Sequence, residues 1–131
     1  MSRMILISHR GNLSGENKEF ENTPKYIDNA IQLGFEVEVD VWFEKGNFFL
    51  GHDFPRIKIE SSYLENKNFW CHAKNIDALL SLSKINCKYF WHQNDDVTIT
   101  SNGFFWTYPG KKLTEKSICV LPELFNYKKI N

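Results

Sequence analysis

Four imidazoles, two closely spaced carboxylates and two cations stand where the apolar runs of this chain end: His9 with Arg10, Glu38 with Asp40, His52, His72 with Lys74, and His92. Glu36, Glu38 and Asp40 alternate with Val37, Val39 and Val41, and a period of two residues places the acids on one face of a strand. Like charges held close raise one another's pKa unless a cation offsets them, so something positive is expected on that face. Glu38 and Asp40 suit a hard divalent ion, which takes oxygen ligands. His9 and His52 suit proton transfer as general base and general acid, each contributing about 10²- to 10⁴-fold. Such an ion, with Arg10 and Lys74, would neutralise a phosphate and stabilise charge growing on its oxygens. The chemistry these groups suit is phosphodiester cleavage.

The elements that must position them follow from periodicity. Met4, Ile5, Leu6 and Ile7 read as a short strand buried on both faces, ending at His9-Arg10-Gly11. After a polar loop, Thr23-Pro24 supplies a cap and a first-turn proline for a helix carrying Ile27, Ala30, Ile31 and Leu33, with Gly34 as its left-handed stop. The strand from Phe35 then turns at Lys45-Gly46-Asn47 and returns through Phe48-Phe49-Leu50, bringing His52-Asp53 back towards the acids. A second unit repeats the pattern. Residues 68–74 form a strand, Asn75 caps a helix carrying Ile76, Leu79, Leu80 and Leu82, and residues 88–92 form the next strand. Residues 55–67 between the units read as a loosely packed polar connection. Beyond His92 the helical periodicity stops: residues 97–100 and 104–107 flank Ser101-Asn102-Gly103 as a hairpin, 118–121 form a last strand, and 123–131 a fraying tail. In parallel βαβ sheets ligands bind beyond the carboxyl ends of the strands, which is where each of these runs ends in chemistry.

With 131 residues the chain is one domain, residues 1–131. Its 16 basic and 16 acidic residues cancel, and without a basic stripe no nucleic-acid partner is expected. No apolar run approaches the roughly 20 residues of a membrane span, and the N-terminus lacks the pattern of a secretory signal. A cytoplasmic protein is expected. Cys71, Cys87 and Cys119 are odd in number and set in apolar runs, as buried free thiols are. Most of the aromatic rings belong to the core, with a few tryptophans and Tyr108 as alternatives for a pocket wall.

His9-Arg10-Gly11, then Glu21-Asn22-Thr23 opening a helix, then Glu38-Val39-Asp40, then His52-Asp53 resembles, in order and spacing, the N-terminal signature of the glycerophosphodiester phosphodiesterases. That family belongs to the phospholipase-C-like phosphodiesterases on a TIM-barrel fold. The resemblance implies that His9 and His52 are the acid–base pair, that Glu38 and Asp40 bind Mg²⁺ or Ca²⁺, that Arg10 holds the phosphate, and that Glu21 braces the rim through Arg10 or a neighbouring backbone group. Two departures qualify it. The family's third acid comes from a Glu-x-Lys pair, and the matching stretch here is His72-Ala73-Lys74. His72 as a ligand suits Mn²⁺ or Zn²⁺ better than the harder ions, and Asp95, Asp96 and Glu123 are alternative sources of the third ligand. A full barrel takes about 250 residues, so the expected fold is α/β: a reduced or distorted TIM-like (β/α) barrel with two N-terminal βαβ units and a hairpin-rich C-terminal half. An open barrel edge invites a second copy, hence a homodimer.

Glu36, earlier on the acid face, is expected to pair with a lysine. Asp53 and His92 are placed as supporting residues, with ordinary polar turns as their structural alternative. The expected function is hydrolysis of a glycerol- or sugar-linked phosphodiester by a metal-dependent enzyme. A phosphodiester- or phosphosugar-binding module without turnover, and a phosphosugar lyase, are the alternatives.

Overall fold

The computed structural model describes residues 6–108 and 110–119, in which three helices and nine strands form. Met4, Ile5, Leu121, Glu123 and the tail lie outside the described residues. Strand β1 (Ile7–His9) leads through a loop to helix α1 (Pro24–Gln32). Thr23 caps that helix by accepting from the Tyr26 amide at 3.4 Å. At its other end Gly34 turns left-handed (φ 94°), its N–H donating to the Ile31 carbonyl and that of Phe35 to the Ala30 carbonyl. That pair of bonds closes the helix and aims the chain into β2 (Glu36–Glu44). Lys45 and Gly46 both adopt positive φ, the tight turn that β2 needs to pair with β3 (Asn47–Leu50).

The polar connection carries more structure than its composition suggests. It contains β4 (Ile57–Ile59) and the short helix α2 (Ser61–Leu64), whose Leu64 is buried. Then β5 (Phe69–Ala73), helix α3 (Ile76–Leu82) and β6 (Lys88–Phe90) form the second βαβ unit. Strands β1, β2, β5 and β6 run parallel, while β3 and β4 add antiparallel beside the second half of β2, giving the order β4-β3-β2-β5-β6 with β1 on β2.

Alternation along β2 sorts this sheet into two faces. Val37, Val39 and Val41 pack with Phe69, Cys71 and Ala73 against Ile27 and Ala30 of α1 and Ala78 and Leu82 of α3. On α3 the inward stripe is Ala78 and Leu82 with Leu79 partly buried beside them; Ile76 and Leu80, expected in the core, are exposed, as is Leu33 at the end of α1. The opposite face carries Glu36, Glu38, Asp40, Trp70, His72, Lys88 and Phe90. Glu36 is paired there, accepting from Lys88 Nζ at 3.0 Å and Trp70 Nε1 at 2.7 Å.

No closed barrel forms, which overturns the TIM-like expectation. Among the described residues the main sheet joins only four strands in parallel, half of what a barrel uses. Residues after His92 pair with one another, β7 (Val97–Ile99) antiparallel to β8 (Phe105–Thr107) and β8 parallel to β9 (Ser117–Cys119). This second sheet sets Trp106 against Phe90, with ring centroids 4.3 Å apart, and against Trp70 at 6.0 Å. A small aromatic core thus fills part of the face that would have lined a barrel interior. Truncating Trp106 to Ala is expected to remove about 3–5 kcal/mol of stability, read from urea unfolding; a change within measurement error would mean that the second sheet is not packed on the first.

Candidate functional site

Asp40 is the hub of the site. It is buried, and its Oδ2 lies 3.1 Å from His52 Nδ1, 3.0 Å from Asn22 Nδ2 and 3.0 Å from Arg10 Nε. The Arg10 Nε–H is not aligned on that oxygen, so this last contact is a charge pair rather than a hydrogen bond. Oδ1 faces His72 Nδ1 at 3.2 Å. Burial alone would raise this carboxyl's pKa, but hydrogen bonds from His52 and His72 and the charges of His72 and Arg10 hold it well below the usual carboxylate range.

Asp40 sits at a gap in the edge of β2. Pairing with β1 ends at His9↔Glu38, and pairing with β3 begins at Val41↔Leu50. Asn22 fills the gap: its Oδ1 accepts from the Asp40 amide at 3.0 Å while its Nδ2 holds the Asp40 side chain. Its own amide donates to the Arg10 carbonyl at 2.9 Å, and the Arg10 amide to the Glu38 carbonyl at 2.8 Å. Both Arg10 (φ 60°) and Asn22 (φ 58°) are left-handed, a sparsely populated conformation that clusters at functional sites. Sequence reasoning gave Asn22 no role. The available signal was an asparagine, the residue most tolerant of that conformation after glycine, just ahead of a helix cap.

Glu21 braces the rim as the resemblance implies, accepting from Arg10 Nη1 at 3.0 Å and Asn12 Nδ2 at 3.3 Å. Arg10 Nη2 lies 3.3 Å from His52 Nε2. A guanidinium only donates, so that nitrogen accepts and the ring's proton sits on Nδ1, facing Asp40. Trp42 Nε1 fixes the end of the hairpin by donating to the Gly51 carbonyl at 2.6 Å. Position 51 must be glycine, because a Cβ there would collide with the Phe54 carbonyl oxygen.

Glu38, Asp40 and His72 present ligand atoms within 4.8 Å of one another. Glu38 Oε1 is buried with no hydrogen-bond partner, and His9 Nε2 stands 3.7 Å from it. The His72 ring sharpens the electrostatics. Its Nε2 faces the His92 carbonyl at 2.9 Å, and its Nδ1 faces Asp40 Oδ1 at 3.2 Å and Glu38 Oε2 at 3.3 Å. All of these partners only accept, whereas a neutral imidazole has one N–H. A second proton or a cation must therefore stand at Nδ1. Burial opposes the charge, but hydrogen bonds and charges from Asp40 and Glu38 outweigh it and push the His72 pKa up to about 9. An orphaned carboxylate oxygen and an O,O,N donor set fit a divalent ion, which would compete with that proton.

The remaining expected residues are more peripheral. Lys74 follows β5, and its ammonium makes no ion pair among the described residues. His92 is buried with its Nε2 donating to the Asp95 carbonyl at 2.6 Å and its ring edge-on to Tyr108, so its ring is turned away from the acids and only its carbonyl meets the cluster, at His72 Nε2. Asp53 is exposed, 3.7 Å from His52 Nε2. Asp95 and Asp96 are exposed and outside the ligand cluster, and Glu123 lies outside the described residues. A cleft of about 540 Å³ opens over Arg10, Asn22 and His52, between the loop before α1 and the loop after β3.

Comparison with family models, curated proteins and solved structures gives no match. The resemblance to the phosphodiesterases thus rests on the motif residues themselves. No helix among the described residues is long and apolar enough to cross a membrane.

Asn22→Ala would strip the Asp40 amide and carboxylate of partners and put alanine at a left-handed position. A loss of about 2–4 kcal/mol is expected in denaturant unfolding, and wild-type stability would contradict the role given to Asn22. His72 titrates at about 9 in the fold against 6.5 ordinarily, so its proton stabilises fully below pH 6.5 and that stabilisation is lost as pH rises through 9. In EDTA, the melting temperature of the wild type should fall across this window more steeply than that of His72→Gln. Equal slopes would remove the imidazolium.

Proposed function

We propose that the chain is a metal-dependent phosphodiesterase that hydrolyses a glycerol- or sugar-linked phosphodiester, with His9 and His52 as its acid–base pair. The observation that carries this reading is the contact between Arg10 and His52. Asp40 holds the His52 proton on Nδ1, and the Nε2 lone pair accepts from Arg10 until an anion takes up that guanidinium N–H and frees it. An anion drawn to Arg10 arrives next to a base.

Arg10 holds a phosphoryl oxygen, its own orientation kept by Glu21. His52 Nε2 takes the proton of the attacking water or hydroxyl, and Asp40 stabilises the imidazolium that results. His9, at the end of the adjacent strand and half-exposed, returns a proton to the leaving oxygen. Glu38, Asp40 and His72 would hold a divalent ion, Mg²⁺, Ca²⁺ or Mn²⁺, which when bound supplies positive charge against the phosphoryl oxygens. The protein's substrate would be a small phosphodiester in the cytoplasm rather than a nucleic acid, for which the balanced charge offers no basic stripe. A second copy would add along a free sheet edge such as β4.

A second reading has one observation behind it. The charged His72 ring already offsets Asp40 and Glu38, as a site that binds phosphodiesters or phosphosugars without turnover would tolerate. Assays on bis-(p-nitrophenyl) phosphate and on glycerol- and sugar-linked diesters separate the two. Turnover should vanish in EDTA and return with Mg²⁺, Ca²⁺ or Mn²⁺, and His9→Ala and His52→Ala should each lower kcat/KM about 10²- to 10⁴-fold. No turnover with any metal, while a phosphodiester still raises the melting temperature, would leave the binding module.

A further inference from the structure

The cleft continues past Arg10 and His52 into space that a phosphate does not need. Its volume of about 540 Å³ lies in the range of sites that enclose a whole small molecule, roughly 300–1,000 Å³. On its lip stands Phe54, a ring left 59 % exposed and stacked on no other ring among the described residues. The loop that carries it is tied at both ends by backbone hydrogen bonds. Gly51 donates to the Asp40 carbonyl and Arg56 to the Leu50 carbonyl at 2.9 Å, and the chain between them is so tight that position 51 has no room for a Cβ.

Arg56 clasps the two walls together. Its Nη2 donates to the Glu19 carbonyl at 2.7 Å and its Nη1 to the Lys18 carbonyl at 3.3 Å, which ties the loop after β3 to the loop before α1. Further N–H groups of that guanidinium remain for a ligand. Glu16 and Lys18 stand on the facing wall as a loose pair 3.8 Å apart, mostly in solvent. An exposed apolar ring on a hydrogen-bonded loop, with charged donors and acceptors around it, matches a sugar, which presents one flat C–H face and a rim of hydroxyls. A plain aryl or alkyl group would leave those polar groups unused.

Resting on the phosphodiesterase reading of the site, we infer that this outer half of the cleft is the subsite for a sugar ring esterified to the phosphate. Phe54 stacks on the ring's C–H face, and Arg56 and Glu16 meet its hydroxyls. Phe54 is then a specificity-determining residue that favours sugar-linked over glycerol-linked diesters.

The test compares methyl glucosyl phosphodiester with methyl glycerol phosphodiester on the full chain. Dissociation constants come from isothermal titration in EDTA, and kcat/KM from assays with metal restored. The wild type should bind the glucosyl compound about tenfold more tightly, Phe54→Ala should abolish that ratio, and Phe54→Tyr should keep it. Because the ring is exposed, Phe54→Ala is expected to keep the wild-type melting temperature, which separates lost recognition from lost fold. Equal binding of the two compounds by the wild type, a ratio that survives in Phe54→Ala, or binding of neither overturns the subsite. Turnover without the sugar preference defeats this inference alone; the preference without turnover defeats the phosphodiesterase reading and leaves the subsite standing.

Discussion

The rest of this structure depends on a buried carboxylate, that of Asp40. Taking such a charge out of water costs several kcal/mol unless partners replace the lost solvation. Here four side chains from four different segments supply them: Arg10 after β1, Asn22 before α1, His52 after β3 and His72 on β5. Because these partners come from separate parts of the chain, satisfying Asp40 also fixes the relative positions of the loops that bound the cleft. The electrostatic requirement of a single residue thus becomes the geometry of a site.

That requirement also explains where backbone strain is tolerated. The left-handed turns at Arg10 and Asn22 bring the first loop close enough for the Asn22 carboxamide to occupy the gap in the edge of β2. Ordinary strand pairing would have left the Asp40 amide to a neighbouring strand and its carboxylate without Asn22. The strain is local and the bonds it permits are buried, where an unpaired amide is most costly.

The two faces of the main sheet divide stability from chemistry. Apolar residues of β2 and β5 bury against α1 and α3 and form the larger core. The other face carries Glu38, Asp40 and His72, with Arg10 and His52 reaching them from loops, and the part of it around Trp70 and Phe90 is covered by the second sheet. The acids are consequently sheltered from water, and it is the partners of Asp40, namely Arg10, Asn22 and His52, that line the cleft. His72 stacks flat on Phe90, ring centroids 4.9 Å apart, and so joins the aromatic core to the ion cluster.

Local patterns in the sequence determined a good deal. Alternation along residues 36–41 placed the acids on one face, Thr23-Pro24 and Gly34 bounded α1, and Lys45-Gly46 set the hairpin that returns His52, because each depends only on near neighbours. The grouping of Glu38, Asp40 and His72 was partly legible, since the two acids share a strand and the βαβ pattern sets His72 on a parallel one. The pairing of β7 with β8 was legible too, from Ser101-Asn102-Gly103 between two strand-like runs; what was not legible was that this hairpin packs across the sheet face instead of completing a barrel, because that depends on Trp106 meeting Phe90 and Trp70. The inward stripe of α3, the role of Asn22 and the turning aside of His92 were likewise decided by the tertiary structure. Each depends on a partner distant in sequence, and periodicity carries no information about distant partners.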